Sequence, residues 1–146
     1  MKMVMIVDDE EMSRTLITKI LKKEGYEVFS AESGRDACGM IEEITPDLVI
    51  MDMMMPDMDG FALAEAMRGG GLLPSRVPIL MLSGYPGELN RKNADKCGID
   101  AYMEKPFDIR TLVTKVEKLT TVDKNENWFA IPTLSADKEY ALCAVE

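Results

Sequence analysis

Histidine is missing altogether from the 146 residues. That removes the usual general base at neutral pH and the commonest transition-metal ligand. Cysteine is scarce, and Cys38, Cys97 and Cys143 are odd in number, with neither CxxC nor zinc-site spacing. Reduced thiols and a cytoplasmic location are therefore the expectation. Positive charge is short as well. Lys and Arg total 17 against 26 Asp and Glu, a net charge of −9, made of −6 over residues 1–120 (15 basic, 21 acidic) and −3 over residues 121–146 (2 basic, 5 acidic). Direct nucleic-acid binding, which rests on Lys and Arg neutralising phosphates, is disfavoured. No apolar run approaches the roughly 20 residues that span a bilayer, so no membrane insertion is expected. The amino terminus has one Lys and too short an apolar run before acid to be a signal peptide. Internal repeats and low-complexity segments are absent too.

What is present fits one domain of ordinary size, with 47% hydrophobic and 29% charged residues,. Its centre is the stretch from Asp47 to Gly60. Residues 48–51 form an unbroken apolar run, β-branched in the middle and too short for a helix. Such a run predicts a strand buried on both faces of a parallel sheet. Asp52 stands directly at its end, followed by a loop broken by Pro56 and Gly60,. A carboxylate there must be solvated, paired or metal-bound. One reading is a residue that merely turns the chain. The other is a reactive carboxylate at the carboxyl edge of an α/β sheet, where such folds place their ligands.

Taken in order, residues 3–7 are a second apolar run, ending on Asp8-Asp9-Glu10-Glu11. Residues 12–24 show helical spacing, with Met12, Leu16 and Ile20, joined by Ile17 and Leu21, as the inward stripe and Lys19, Lys22 and Lys23 outside. Gly25 ends that helix. Residues 26–31 are a strand candidate, and Ser33 caps a helix over about 34–43 with Ala37, Met40, Ile41 and Ile44 inward. Pro46 precedes the central strand. A short helix over 61–67 is ended by Gly69-Gly70-Gly71, and residues 77–82 are a fourth strand with Pro78 near its start. A helix is expected over 88–97, stopped by Gly98. A short strand follows over 99–103, and Asp108 caps a last helix over about 109–119 with Leu112, Val113, Val116 and Leu119 on one face. Five βα units imply an α/β fold, a doubly wound five-stranded parallel sheet with helices on both faces.

The chemistry comes from superposing the strand ends. Asp8 and Asp9 follow strand one, Asp52 follows strand three, Ser83 strand four and Lys105 strand five. In a doubly wound sheet these ends share one edge. Three carboxylates gathered there repel one another unless a cation compensates. All-oxygen ligands suit magnesium, and Lys105 adds a fixed positive charge. Such a site suits phosphoryl transfer with a carboxylate nucleophile.

Over residues 1 to about 120 the sequence resembles the receiver domain of two-component response regulators, of the chemotaxis-type, stand-alone kind. The resemblance rests on Val7-Asp8-Asp9-Glu10, the run from Met51 through Pro56 to Gly60, Leu82-Ser83-Gly84, and Lys105-Pro106-Phe107. Each motif is weak alone; four in order on consecutive strand ends are specific. The resemblance implies a (βα)5 flavodoxin-like fold with sheet order 2-1-3-4-5. It implies that Asp52 is the phosphoacceptor, taking its phosphoryl group from a sensor histidine kinase or phosphotransfer protein. Asp9 and Asp52 would bind Mg directly, Asp8 through water, and the backbone carbonyl of Met54 would complete the protein ligands. Ser83 and Lys105 would hold the phosphoryl group, Tyr102 would be the switch aromatic, and the bond to Pro106 is expected cis. The face from strand four to strand five would then bind a downstream protein target, and enzymatic activity would be limited to self-phosphorylation and self-dephosphorylation.

Duller readings stand beside these. Asp8 and Asp9 with Glu10 and Glu11 suit an acidic first helical turn, and Tyr102 suits any strand. Met51, Met53, Met54, Met55 and Met58 suit packing better than a thioether metal site, and Asp57 and Asp59 suit the loop and the next helix cap. Ser83 stands where Thr is commoner and Gly84 where Ala is frequent, so water access and self-hydrolysis that is not unusually slow are expected. Residues 121–146 fall outside the resemblance as a C-terminal extension: a linker, then a short apolar hairpin or helix, and no output domain. Its Trp128, the only Trp, is expected to pack on the receiver or on a second subunit as a homodimer,. Three functions follow: a phosphorylation-controlled switch, a receiver module of a larger hybrid kinase or regulator, or an aspartate-nucleophile phosphohydrolase. The hydrolase type carries a second Asp two residues beyond its nucleophile, where this chain has Met54.

Overall fold

A computed structural model describes residues 1–84 and 98–121. The elements are β1 (Met3–Val7), α1 (Glu11–Lys23), β2 (Glu27–Ala31), α2 (Gly34–Glu43), β3 (Leu48–Asp52), α3 (Gly60–Gly69), β4 (Ile79–Ser83), β5 (Ala101–Glu104) and α4 (Ile109–Thr121). All five strands form one sheet in the order β2-β1-β3-β4-β5, and every neighbouring pair is parallel. The expected fold class and sheet order are therefore those observed. The helix expected over 88–97 and the hairpin or helix of the extension lie outside the described residues.

The two-residue period of a strand divides the core into halves. Met5, Val7, Val49, Met51, Ile79, Met81 and Tyr102 point to one face, against Ala37 and Ile41 of α2 and Leu63, Ala64 and Met67 of α3. Val4, Ile6, Leu48, Ile50, Leu80, Leu82, Ala101 and Met103 point to the other, against α1 and α4. Both faces of β3 and β4 are buried along their full length. That is why these strands read as continuous apolar runs and not as alternating ones. Each fully buried Leu or Ile contributes about 1.5–3 kcal/mol relative to exposure.

The ends of elements follow local chemistry. Gly25 takes φ +96° just after α1, where its amide donates to the Lys22 carbonyl. Such a left-handed residue is cheap only for glycine. Ser33 caps α2 by accepting from the Asp36 amide, and Asp59 caps α3 by accepting from the Ala62 amide at 2.8 Å,. Asp108 accepts from the Thr111 hydroxyl at the start of α4. Asp47 fixes the start of β1, its carboxylate accepting from the Met3 amide at 2.8 Å.

Three expectations about helix faces need correction. In α1 the buried residues are Ile17 and Leu21, while Met12 is 82% and Leu16 48% exposed. At 100° per residue Met12 and Leu16 lie on the side of α1 away from Ile17 and Leu21, so one stripe cannot bury all four. In α2, Ala37 and Ile41 are buried and Met40 partly so, but Ile44 is its C-cap in extended backbone and is 39% exposed. In α4, Val113 is only half-buried beside Leu112, Val116 and Leu119, whereas Lys115 and Thr120 join the buried face. Boundaries also differ slightly: α3 runs through Gly69, and Asp52 is the last residue of β3 itself.

Candidate functional site

At the carboxyl edge of the sheet, β1, β3, β4 and β5 end side by side and deliver the site residues. The register pairs Val7 with Met51, Asp52 with Leu82 and Ser83 with Glu104. Backbone bonds continue past the strands: the Met53 amide donates to the Leu82 carbonyl at 2.8 Å, and the Lys105 amide to the Ser83 carbonyl at 2.6 Å. Asp8, Asp9 and Asp52 each offer a carboxylate oxygen, all within 4.8 Å of one another. Asp8 and Asp52 are buried and Asp9 is exposed. Lys105 bridges the two buried carboxylates, with its Nζ 3.2 Å from Asp8 Oδ2 and 3.3 Å from Asp52 Oδ1.

Asp8 is the most constrained of the three. Its Oδ1 accepts from the Glu10 amide at 2.9 Å, its backbone carbonyl accepts from Arg14 Nη1 at 2.7 Å, and its amide donates to the Ala31 carbonyl. The acidic turn is thus held by the start of α1 and the end of β2 together. Asp52 differs. Burial pushes its carboxyl up to about 6, with the Lys105 charge opposing that rise and Asp8 and Asp9 adding to it. For Lys105 burial favours the neutral amine, but the charges and hydrogen bonds of Asp8 and Asp52 outweigh it and raise its pKa. One lysine therefore compensates part of three negative charges, and a second cation would compensate the remainder.

The donor set is all oxygen, without imidazole or thiolate, which fits a hard divalent cation such as magnesium. Asp9 is the exposed carboxylate of the three and faces water. The side chain of Met54 is 58% exposed, so it is not held in the core. Gly60 closes the loop from behind: its amide donates to the Met53 carbonyl at 2.7 Å, and a Cβ there would lie 2.5 Å from Met81 Sδ and 2.9 Å from the Asp52 carbonyl oxygen. Only glycine lets α3 start this close to the end of β3.

Of the other expected site residues, Ser83 is fully buried at the end of β4, and Tyr102 is 2% exposed in the core half shared with α2 and α3. The peptide bond from Lys105 to Pro106 is cis. Gly84 is exposed, with open space where a Cβ would sit. Asp59 caps α3 as expected of the loop acids, whereas Asp57 reaches back to the start of α2, its carboxylate 3.4 Å from the Gly34 amide and 3.3 Å from the Arg35 amide. Nothing in the linear pattern indicated that second link, because its partners lie 23 and 22 residues upstream. Arg68 was not singled out either. It donates to the Pro74 and Gly98 carbonyls and to Asp100, whose carboxylate accepts from the Ile79 amide, and so fixes the beginning of β4.

Comparison with known proteins agrees with this geometry. The family model for the response regulator receiver domain matches residues 4–117. Among solved structures, the chain is similar to the chemotaxis response regulator CheY4 of Vibrio cholerae at 30% identity, covering 82% of this chain and 98% of that one, with TM-score 0.75. It is similar to the response regulator TrrA of Thermotoga maritima, solved in complex with Mg(2+)-BeF, at 33% identity over 82% of this chain and 99% of that one, TM-score 0.73. A response regulator from Chloroflexus aurantiacus matches at 31% identity over 83% and 98%, TM-score 0.75. With the family model covering most of its length and the acidic cluster in place, the chain belongs to the response regulator receiver domains of two-component signalling.

Proposed function

We propose that the domain is a phosphorylation-controlled switch in which Asp52 accepts a phosphoryl group from the phosphohistidine of a sensor histidine kinase or phosphotransfer protein. The observation that carries this reading is the clustering of Asp8, Asp9 and Asp52 within 4.8 Å, with Lys105 bonded to both buried members. The chain has no histidine, so the donor imidazole belongs to the partner. A carboxylate oxygen of Asp52 attacks phosphorus while the P–N bond breaks and its electron pair leaves with the imidazole. Catalysis here is positioning and charge neutralisation. Asp52 must be ionised to attack, and Lys105 favours that form.

Asp9 and Asp52, with Asp8 through water and the Met54 carbonyl, would hold magnesium, whose chemistry is to neutralise charge on the transferred oxygens. Lys105 leaves its contact with the Asp52 carboxylate for the phosphoryl oxygens. Ser83, one residue past the Leu82 that pairs with Asp52, donates its hydroxyl to the same group. Phosphorylation replaces the single charge of the Asp52 carboxylate with the roughly −1.5 to −2 of a phosphoryl group in a site already acidic, and drawing in Ser83 and Lys105 relieves the added charge. Ser83 ends β4 and Lys105 follows β5, the strand that carries Tyr102, so their shift repacks the β4–β5 face on which a downstream target is recognised. Residues 1–120 form this unit, and residues 121–146 are an extension to it.

Intact-mass spectrometry after incubation with magnesium and acetyl phosphate tests the reading. A single phosphoryl adduct is expected, absent with EDTA and absent in Asp52→Asn. No adduct under conditions that label another receiver would overturn it.

A further inference from the structure

An apolar cleft opens beside the acidic site on the α1–α4 side of the molecule. It has a volume of about 680 Å³ and is lined by Met12, Leu16, Phe107 and Ile109 together with Glu10 and Lys105. Met12, Leu16 and Ile109 are 82%, 48% and 53% exposed, an unusual concentration of large apolar side chains in water,. Both helices begin at the carboxyl edge of the sheet, because each follows its strand directly, and both pack on the same sheet face. At the far end, the hydroxyl of Tyr26, in the turn after α1, lies 3.5 Å from Thr120 Oγ1 near the end of α4.

We propose that this cleft is the docking site for the chain's own C-terminal extension, with residues 128–134 as the segment that fills it. The reach agrees. The 13 residues of α4 span about 20 Å at 1.5 Å per residue. The six-residue polar linker 122–127, extended, returns up to about 20 Å from Thr121. That places Trp128-Phe129-Ala130-Ile131-Pro132-Thr133-Leu134, which carries no charge, level with Met12, Leu16 and Ile109. Charge agrees as well. Met12, Leu16, Lys19 and Lys23 recur at spacings of four, three and four along the exposed side of α1, and the linker that passes the lysine end carries Asp123 and Glu126 against the single Lys124, a net charge of −1,. The apolar end of the stripe meets the apolar segment, and the basic end meets the acidic linker. On the phosphoacceptor reading the docked segment borders Lys105 and narrows the approach of a protein phosphodonor; the docking itself does not depend on that reading.

Trp128 is the only tryptophan, so its fluorescence in the full chain reports on this segment alone. Protection from acrylamide quenching is expected, independent of protein concentration. Leu16→Glu and Ile109→Glu, at exposed cleft positions, should raise the quenching constant severalfold and shift the emission to the red, and Met12→Glu provides a third, more exposed position. Circular dichroism checks that the fold is kept, and acetyl-phosphate labelling separately checks the phosphoacceptor reading. Full quenching in the unaltered protein overturns the proposal, as does protection that none of the three variants changes. Protection that grows with protein concentration also overturns it, and assigns the cleft to a second copy.

Discussion

At the residue scale the decisive group is Asp52, whose carboxyl is pushed up to about 6 chiefly by burial. A raised acid favours its neutral form, and the consequence for stability has a definite sign. Below about pH 4 the group is protonated in folded and unfolded chains alike and costs nothing. Between about 4 and 6 the unfolded chain releases its proton first, so stability falls as pH rises; above 6 the cost is constant. In EDTA, Asp52→Asn should therefore be more stable than the unaltered protein at pH 8, by about 1–3 kcal/mol, with the gain vanishing towards pH 4. Urea unfolding across pH measures this, and an equal gain at every pH would contradict it. Gly60 is decisive in another way. Gly60→Ala pushes a methyl against Met81 Sδ and the Asp52 backbone, an overpacking cost of about 1–3 kcal/mol. A thermal scan is expected to show the loss, together with weaker acetyl-phosphate labelling on the proposed function, since the clash falls on the strand end that carries Asp52. Asp8 and Asp52 were legible because each directly follows an apolar run, and Asp9 and Lys105 because each stands one residue further on. Gly60 was legible only as a loop breaker, because a close approach between chain segments has no linear signature.

At the scale of elements, the strands and helices were readable from their periods, and the exceptions have physical causes. α1 carries five apolar residues spread over about half of its circumference, and the sheet selects Ile17 and Leu21 while leaving Met12 and Leu16 outside. Hydrophobicity alone could not choose between them; packing partners did. The links between elements were equally hidden. Asp57 reaches α2 from the loop before α3, and Arg68 at the end of α3 joins Pro74, Gly98 and Asp100. Burial lowers the pKa of Arg68, and Asp100 works against that. Arg68→Met removes the guanidinium from all three acceptors and should cost about 3–5 kcal/mol, as expected when one member of a buried ion pair is deleted. Loss of less than half that, measured by urea unfolding, would mean that the cluster is dispensable.

At the scale of the whole molecule, the acidic edge is a cost to folding that a bound cation would offset. Three carboxylates share the space with one lysine, so the metal-free protein carries uncompensated repulsion. Magnesium that binds the folded chain alone should stabilise it by about 2.7 kcal/mol at one hundred times its dissociation constant. The melting temperature should rise with magnesium, and Asp9→Asn, at the exposed carboxylate, should abolish most of that rise; an equal rise in the variant would remove Asp9 from the site. What the sequence determined by itself is the alternation of five apolar runs with amphipathic segments, and with it the parallel α/β class and the carboxylates, hydroxyl and amine that meet at one edge. Those features are local, since the period of a strand and the residue at its end are written in adjacent letters. Tertiary structure decided which side of α1 is buried, how Lys105 is shared between Asp8 and Asp52, and how far the Asp52 carboxyl rises. Each of these depends on distances between residues remote in the chain, and such distances exist only after the sheet has closed.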